Sequence, residues 1–168
     1  MAVVIALSGA LSGCSKNMAI PKDFCSVPVN GSTLSPLLPD GEQVKKTRED
    51  PLDAGLRNAY CYLGVDGVRV LSTTVRQIDK PLPPEDWENA TSYYRMAAER
   101  RVTFPGRTVI GADGALVVAK CGNPTAYILF DVDFHGGRVE NTQDGYKKLQ
   151  RFLEDFTPAV TKKLQCTT

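Results

Sequence analysis

The chain has 168 residues, 42% of them apolar and 23% charged, with 20 basic and 19 acidic side chains for a formal net charge of +1. That composition is globular, long enough for one ordinary domain with a real core, and its near-even charge gives no draw toward nucleic acid or an anionic surface. It contains no internal repeat, low-complexity block or long run of like charge.

Ala2 to Leu11 is an apolar and small-residue stretch. It is too short to cross a bilayer core of about 30 Å as a helix and suits the apolar region of a signal peptide. It ends in Leu11-Ser12-Gly13-Cys14. That tetrapeptide resembles the bacterial lipobox, in which small residues let a peptidase fit the backbone beside a lipid-modified cysteine. The reading divides the chain into a signal peptide over 1–13, a lipidated tether over 14–24 and one domain over 25–168. No Lys or Arg precedes the apolar stretch, a departure that a start codon placed too late accounts for.

Beyond the tether, Ser32 or Thr33 is placed to cap a short helix through Leu34, Leu37 and Leu38, closed by the turn Pro39-Asp40-Gly41. Lys45-Lys46 with Arg48, followed at once by Glu49-Asp50, reads as a solvated loop or edge strand, and Glu49 to Gly55 as a loop. Asn58–Val65 and Val68–Ile78 form a predicted hairpin about Asp66-Gly67, a dipeptide that tolerates positive φ. Pro81, Pro83 and Pro84 break it. Pro84 suits the first turn of a helix whose Trp87, Ala90, Tyr94 and Ala97 share one face, with Glu85 and Asp86 at its positive end and Arg100 and Arg101 at its negative end. A second hairpin joins Arg107–Ile110 to Ala115–Cys121 about Asp113-Gly114. After the turn at Gly122–Pro124, Ala126–Phe134 is the clearest strand, ended by Gly136-Gly137. The last element is a helix from about Thr142 to Gln165 with the stripe Tyr146, Leu149, Leu153, Phe156, Val160 and Leu164. Pro158 is expected to kink it, or Thr157 to cap a fresh segment there. Together these elements predict an α+β fold: an antiparallel sheet with about three helical segments packed on one face and stapled by disulfides.

Five cysteines are present. With Cys14 as the lipid site, Cys25, Cys61, Cys121 and Cys166 remain, an even number that points to two disulfides in an exported chain. Three connectivities are possible. Cys25–Cys61 with Cys121–Cys166 is favoured because each pair joins a strand cysteine to one near a helix or terminus and the loops do not interleave. No C-x₂-C spacing supports zinc.

Asp131, Asp133 and His135 are the best candidates for chemistry. On a strand they share one face and step about 7 Å apart, so they can begin a divalent-metal site or supply an acid and a base. His135 is the only histidine, so any histidine-dependent mechanism must use it. The plainer reading is the polar face of a half-exposed strand, although Asp is unusual there. Tyr93 and Trp87 mark a candidate binding surface beside ordinary packing. No G-x-S-x-G, H-E-x-x-H, P-loop or EF-hand pattern occurs, and no cofactor is expected.

The lipobox, Cys25 after the tether, Leu37-Leu38-Pro39-Asp40-Gly41, Cys61 entering a strand, Cys121 ending one and Phe152 to Cys166 closing the chain line up. In layout the chain resembles the uncharacterised exported lipoproteins of actinobacteria that carry four extracytoplasmic cysteines. The resemblance implies a surface or cell-envelope protein, lipid-anchored on the extracytoplasmic face of the membrane, and supplies no catalytic residue. The expected function is a binding or accessory module whose partner is an envelope protein or a small molecule, with the membrane reached through the lipid and no nucleic acid. The competing classes are a metal-dependent or acid–base enzyme using Asp131, Asp133 and His135, and a structural envelope protein.

Overall fold

The computed structural model describes residues 18–53, 58–122, 126–136, 140 and 142–166. The signal peptide, Cys14 and the first part of the tether lie outside them, as do Gly55, Pro124 and Gly137. Two short strands, β1 (Asp23–Phe24) and β2 (Val27–Pro28), form a small hairpin of their own. It leads into α1 (Gly31–Leu34) and a 3₁₀ turn over Ser35–Leu37. The cap of α1 is Asn30, whose side chain accepts from the Ser32 amide, two positions before the serine and three before the threonine expected to cap it.

The main sheet has seven strands, all antiparallel to their neighbours: β3 (Val44–Glu49), β4 (Ala59–Val65), β5 (Val68–Ile78), β6 (Ala98–Glu99), β7 (Gly106–Ile110), β8 (Gly114–Lys120) and β9 (Tyr127–Phe134). Their order is β3-β4-β5-β9-β8-β7-β6. Asp66 and Gly67 both take positive φ (50° and 82°), which matches the turn twist to the strand twist of the β4–β5 hairpin. The basic segment at Lys45 to Arg48 is an edge strand, bulged between Lys46 and Arg48. β9 enters the middle of the sheet, between β5 and β8, so both edges of the clearest sequence strand are paired.

α3 (Gln143–Lys163) is one helix of 21 residues, capped by Thr142, whose side chain accepts from the Gly145 amide. It runs unbroken through Pro158, and Thr157 stays buried inside it rather than capping a second segment. Its stripe packs on the inner face of the sheet, where Leu149, Phe152, Leu153, Phe156 and Val160 share one core with Leu63, Leu71, Val75, Val117, Phe130 and Val132. α1 and the 3₁₀ turn lie against α3 in that layer.

α2 (Pro84–Tyr93) departs from the expectation that the helices lie together on one face. It covers the outer face, where Trp87, Ala90 and Tyr94 close over Val109, Val118 and Leu129. Those three strand residues form an apolar patch on the side away from α3, so a second layer is needed there. The helix also ends early. Tyr94 is its C-cap in extended conformation, leaving Ala97 beyond it, and Arg100 lies over the Tyr146 ring of α3 at 4.0 Å instead of at the end of α2.

Both disulfides have the favoured pairing, with Cα separations of 5.5 Å for Cys25–Cys61 and 4.7 Å for Cys121–Cys166. The first ties the N-terminal hairpin to β4, and the second ties Cys166, three residues past α3, to Cys121, the residue that follows β8. Leu153→Ala, which empties a fully buried position on the α3 stripe, is expected to cost about 2–5 kcal/mol by denaturant unfolding. Non-reducing peptide mapping is expected to recover only these two bridges among the four cysteines. A Cys166 peptide that is free, or joined to Cys25 or Cys61, would contradict the fold.

Candidate functional site

Alternation along β9 divides its side chains cleanly. Ile128, Phe130, Val132 and Phe134 enter the core shared with α3, while Leu129, Asp131 and Asp133 point to the outer face. On that face Asp131 pairs across the ladders with Thr74 of β5 and Leu116 of β8, and Asp133 with Ser72 and Gly114. α2 overhangs this region and brings Tyr94 down onto it.

The Tyr94 hydroxyl donates to Asp131 Oδ1 at 2.6 Å. Burial, and then the Asp131 carboxylate, push the phenol well above its ordinary pKa, so it stays protonated and acts as donor. Two glycines make room for its ring. A Cβ on Gly114 would stand 2.4 Å from the ring and 2.7 Å from the Val132 carbonyl, and one on Gly111 would stand 2.6 Å from Tyr94 Cβ. Asp113 then fixes the chain just after the ring, accepting from Arg95 N at 2.7 Å and Nε at 3.0 Å, while the Ala112 amide donates to the Arg95 carbonyl. The turn Gly111–Gly114 thus holds down the end of α2.

Asp131, Asp133 and His135 are neighbours along the chain but do not converge. Asp131 turns to Tyr94, and His135 leaves the strand to sit 2.9 Å from Ser72 Oγ through Nε2. Asp133 is half-buried between them, and burial, reinforced by the nearby Asp131 charge and partly offset by His135, raises its carboxyl pKa. No group of three His, Cys, Asp or Glu among the described residues is placed to hold a metal ion. Ser72 and His135 have the spacing of a nucleophile and its base. Their surroundings lack the rest: Asp133 acts on His135 through space rather than by a hydrogen bond, and neither Ser72 nor His135 lines the cleft below.

That cleft, of about 580 Å³, runs between α2 and the outer face of the sheet. Leu82, Leu116 and Leu129 line it with apolar surface, and Arg76, Asp86, Asn89 and Asp131 bring polar groups to it. Tyr93 stands at its edge, 76% exposed and edge-on to the Tyr94 ring at 5.1 Å. Of the sequence candidates, Asp131 and Tyr93 belong to this cleft, whereas Trp87 is buried beneath α2 with the Arg107 guanidinium over its ring at 4.4 Å. Nothing local in the sequence marks Arg76, Tyr94 or Gly114 as site residues: the long-range β5–β9 and β8–β9 pairings bring Arg76 and Gly114 near Asp131, and the packing of α2 on the outer face brings Tyr94 to it. Comparison with family models, with curated proteins and with solved structures finds no match.

Two substitutions test this arrangement. Gly114→Ala places a methyl group against both the Tyr94 ring and the Val132 backbone, and is expected to cost about 1–3 kcal/mol while displacing the ring. Loss of the hydrogen-bonded tyrosine signal by ultraviolet difference spectroscopy, together with a lower unfolding midpoint, checks it. Asp133→Asn is expected to stabilise the fold at neutral pH. A raised folded-state pKa favours the protonated carboxyl, so stability is greatest below the unfolded pKa and falls as pH rises through the folded one. The gain of the variant should therefore shrink as pH is lowered through the carboxylate range; a gain independent of pH contradicts the assignment.

Proposed function

We propose that this chain is a lipoprotein held by Cys14 at the extracytoplasmic face of the cell membrane, where its domain serves as a binding or accessory module of the envelope. The observation that carries the reading is the use of the cysteines. Four of the five are consumed in two bridges, of the kind that persist in oxidising compartments. The fifth is Cys14, directly after Leu11-Ser12-Gly13. Two or more acyl chains on it give stable anchoring, since each buried CH₂ contributes about 0.8 kcal/mol. Among the described residues no helix is long and apolar enough to cross a membrane.

The binding role draws on the cleft, which combines leucine walls, an exposed aromatic ring and convergent polar groups from three elements. The acid–base enzyme has only the Ser72–His135 contact and the perturbed Asp133 behind it, and both stand outside that cleft. Cys14→Ala, expressed from the chromosomal locus, is expected to move the protein out of the membrane fraction and to block maturation. Retention in the membrane together with an unchanged mature mass would overturn the lipoprotein reading.

A further inference from the structure

The basic cluster at Lys45, Lys46 and Arg48 is divided by the sheet. Lys46 pairs with Leu63, which faces the core side, and its ammonium is held by Asp23 and Glu49, whose hydrogen bonds raise its pKa. Lys45 and Arg48 pair with Gly64 and Tyr62 on the outer face, in the half that α2 leaves uncovered. There the side chains form a column. The Arg48 guanidinium lies 4.7 Å from the Tyr60 ring centre and 5.6 Å from that of Tyr62, and Arg69 of β5 lies over Tyr62 at 4.0 Å. The fork of Arg48 is taken by Asp50, at 3.1 and 2.9 Å. Arg69 has no carboxylate partner among the described residues, and Lys45 has none either. Between them on β4 stands Gly64, buried under the Thr47 methyl group and the Val68 carbonyl. The nearby Asp66 carboxylate is occupied by the amides of Glu42 and Gln43.

We propose that this corner, built from Lys45, Tyr62 and Arg69 with Arg48 behind them, binds the carboxylate or phosphate groups of an acidic envelope polysaccharide. A guanidinium held flat on an aromatic ring keeps its planar fork in a fixed direction, and that fork matches carboxylate and phosphate oxygens bidentately. Lys45 and Arg69 flank Gly64 on the two neighbouring strands, so one segment of an anionic polymer can meet both uncommitted cations. Thr74 continues the same face along β5, in register with Tyr60, and offers a hydroxyl to a polyhydroxylated chain.

The proposal rests on the anchored reading, which also separates a polysaccharide from the bilayer as occupant. Only three residues, Ser15–Asn17, lie between Cys14 and the described chain, so Cys14 is at most about 14 Å from Met18. Met18 and Ile20 pack on the core, with Ile20 against Gly31 of α1, in the layer that holds α3. A tether entering there turns the helical layer toward the membrane and the outer sheet face away from it.

The test uses the full lipidated protein in neutral detergent micelles. Its probes are immobilised polygalacturonate and poly(glycerol phosphate), with dextran as neutral control and phosphatidylglycerol vesicles as the competing surface. At physiological ionic strength we expect retention on at least one acidic polymer and none on dextran, with weaker retention at high salt. Arg69→Gln and Lys45→Gln should each weaken it about tenfold or more with unchanged unfolding midpoints. Arg151→Gln, an exposed cation on α3, should leave it unchanged. Failure on both polymers, an Arg151→Gln effect equal to that of Arg69→Gln, or tighter binding to the vesicles than to either polymer would overturn the proposal. Membrane fractionation separates it from the anchored reading: Arg69→Gln should stay in the membrane fraction, and a membrane-bound parent that binds neither polymer defeats this inference alone.

Discussion

Phe152 and Phe156 stack on one another along α3 at 5.2 Å and 12°, and each then reaches a different part of the molecule. Phe156 meets Phe130 of β9 at 6.1 Å and Phe24 of the N-terminal hairpin at 5.8 Å, while Phe152 stands edge-on to Phe134 at 6.3 Å. Two adjacent turns of one helix thereby hold the middle of the sheet and the start of the domain together. The consequence for the outer face is a matter of parity. Because side chains alternate along a strand, burying Phe130, Val132 and Phe134 under α3 obliges Leu129, Asp131 and Asp133 to face outward, and a slip of one residue would exchange the two sets. The cleft and its carboxylates exist on the side they do because the phenylalanines are on the other.

Much of this was legible in the chain itself, where the deciding signals are local. Asp66-Gly67 and Asp113-Gly114 announce their turns, the α3 stripe announces a helix lying on a sheet, and the even cysteine count announces two bridges, although three connectivities stay open until the strands are placed. What could not be read is what depends on distant pairing. Nothing near Ala126–Phe134 says that this strand inserts between β5 and β8, and so nothing says that Tyr94 will meet Asp131. The side chosen by α2 was hidden for a related reason. Leu129, Val118 and Val109 look like interruptions in three separate strands, and become an apolar patch only once those strands are neighbours. The two-residue strands β1, β2 and β6 leave no periodicity to detect.

Charge shows the same limitation from another direction. A net charge of +1 reads as neutral, yet it averages over faces that see different surroundings. Lys45, Lys46 and Arg48 form one basic run in sequence, but the pleat sends Lys46 to Asp23 and Glu49, while the bulge after it re-aims Arg48 outward between two tyrosines. The acids of the outer face are concentrated on β9, where Asp131 is held by Tyr94, and the uncommitted cations on β3 and β5. Composition cannot report such a segregation, because it arises from strand order.

The separation of the two disulfide loops also bears on how the molecule acquires them. Cys25 and Cys61 are 36 residues apart, and Cys121 and Cys166 are 45 apart, with the second loop beginning only after the first has closed. For a chain emerging N-terminus first, an oxidant that joins each thiol to the next one to appear makes both native bonds in turn, with no shuffling afterwards. Cys14 is the one residue that would upset this sequence, since it emerges ahead of Cys25 and would be offered to it as a partner. In the proposed lipoprotein a thioether at Cys14 would remove that thiol from the series, so that lipidation would protect the fidelity of oxidation in the domain as well as anchor it.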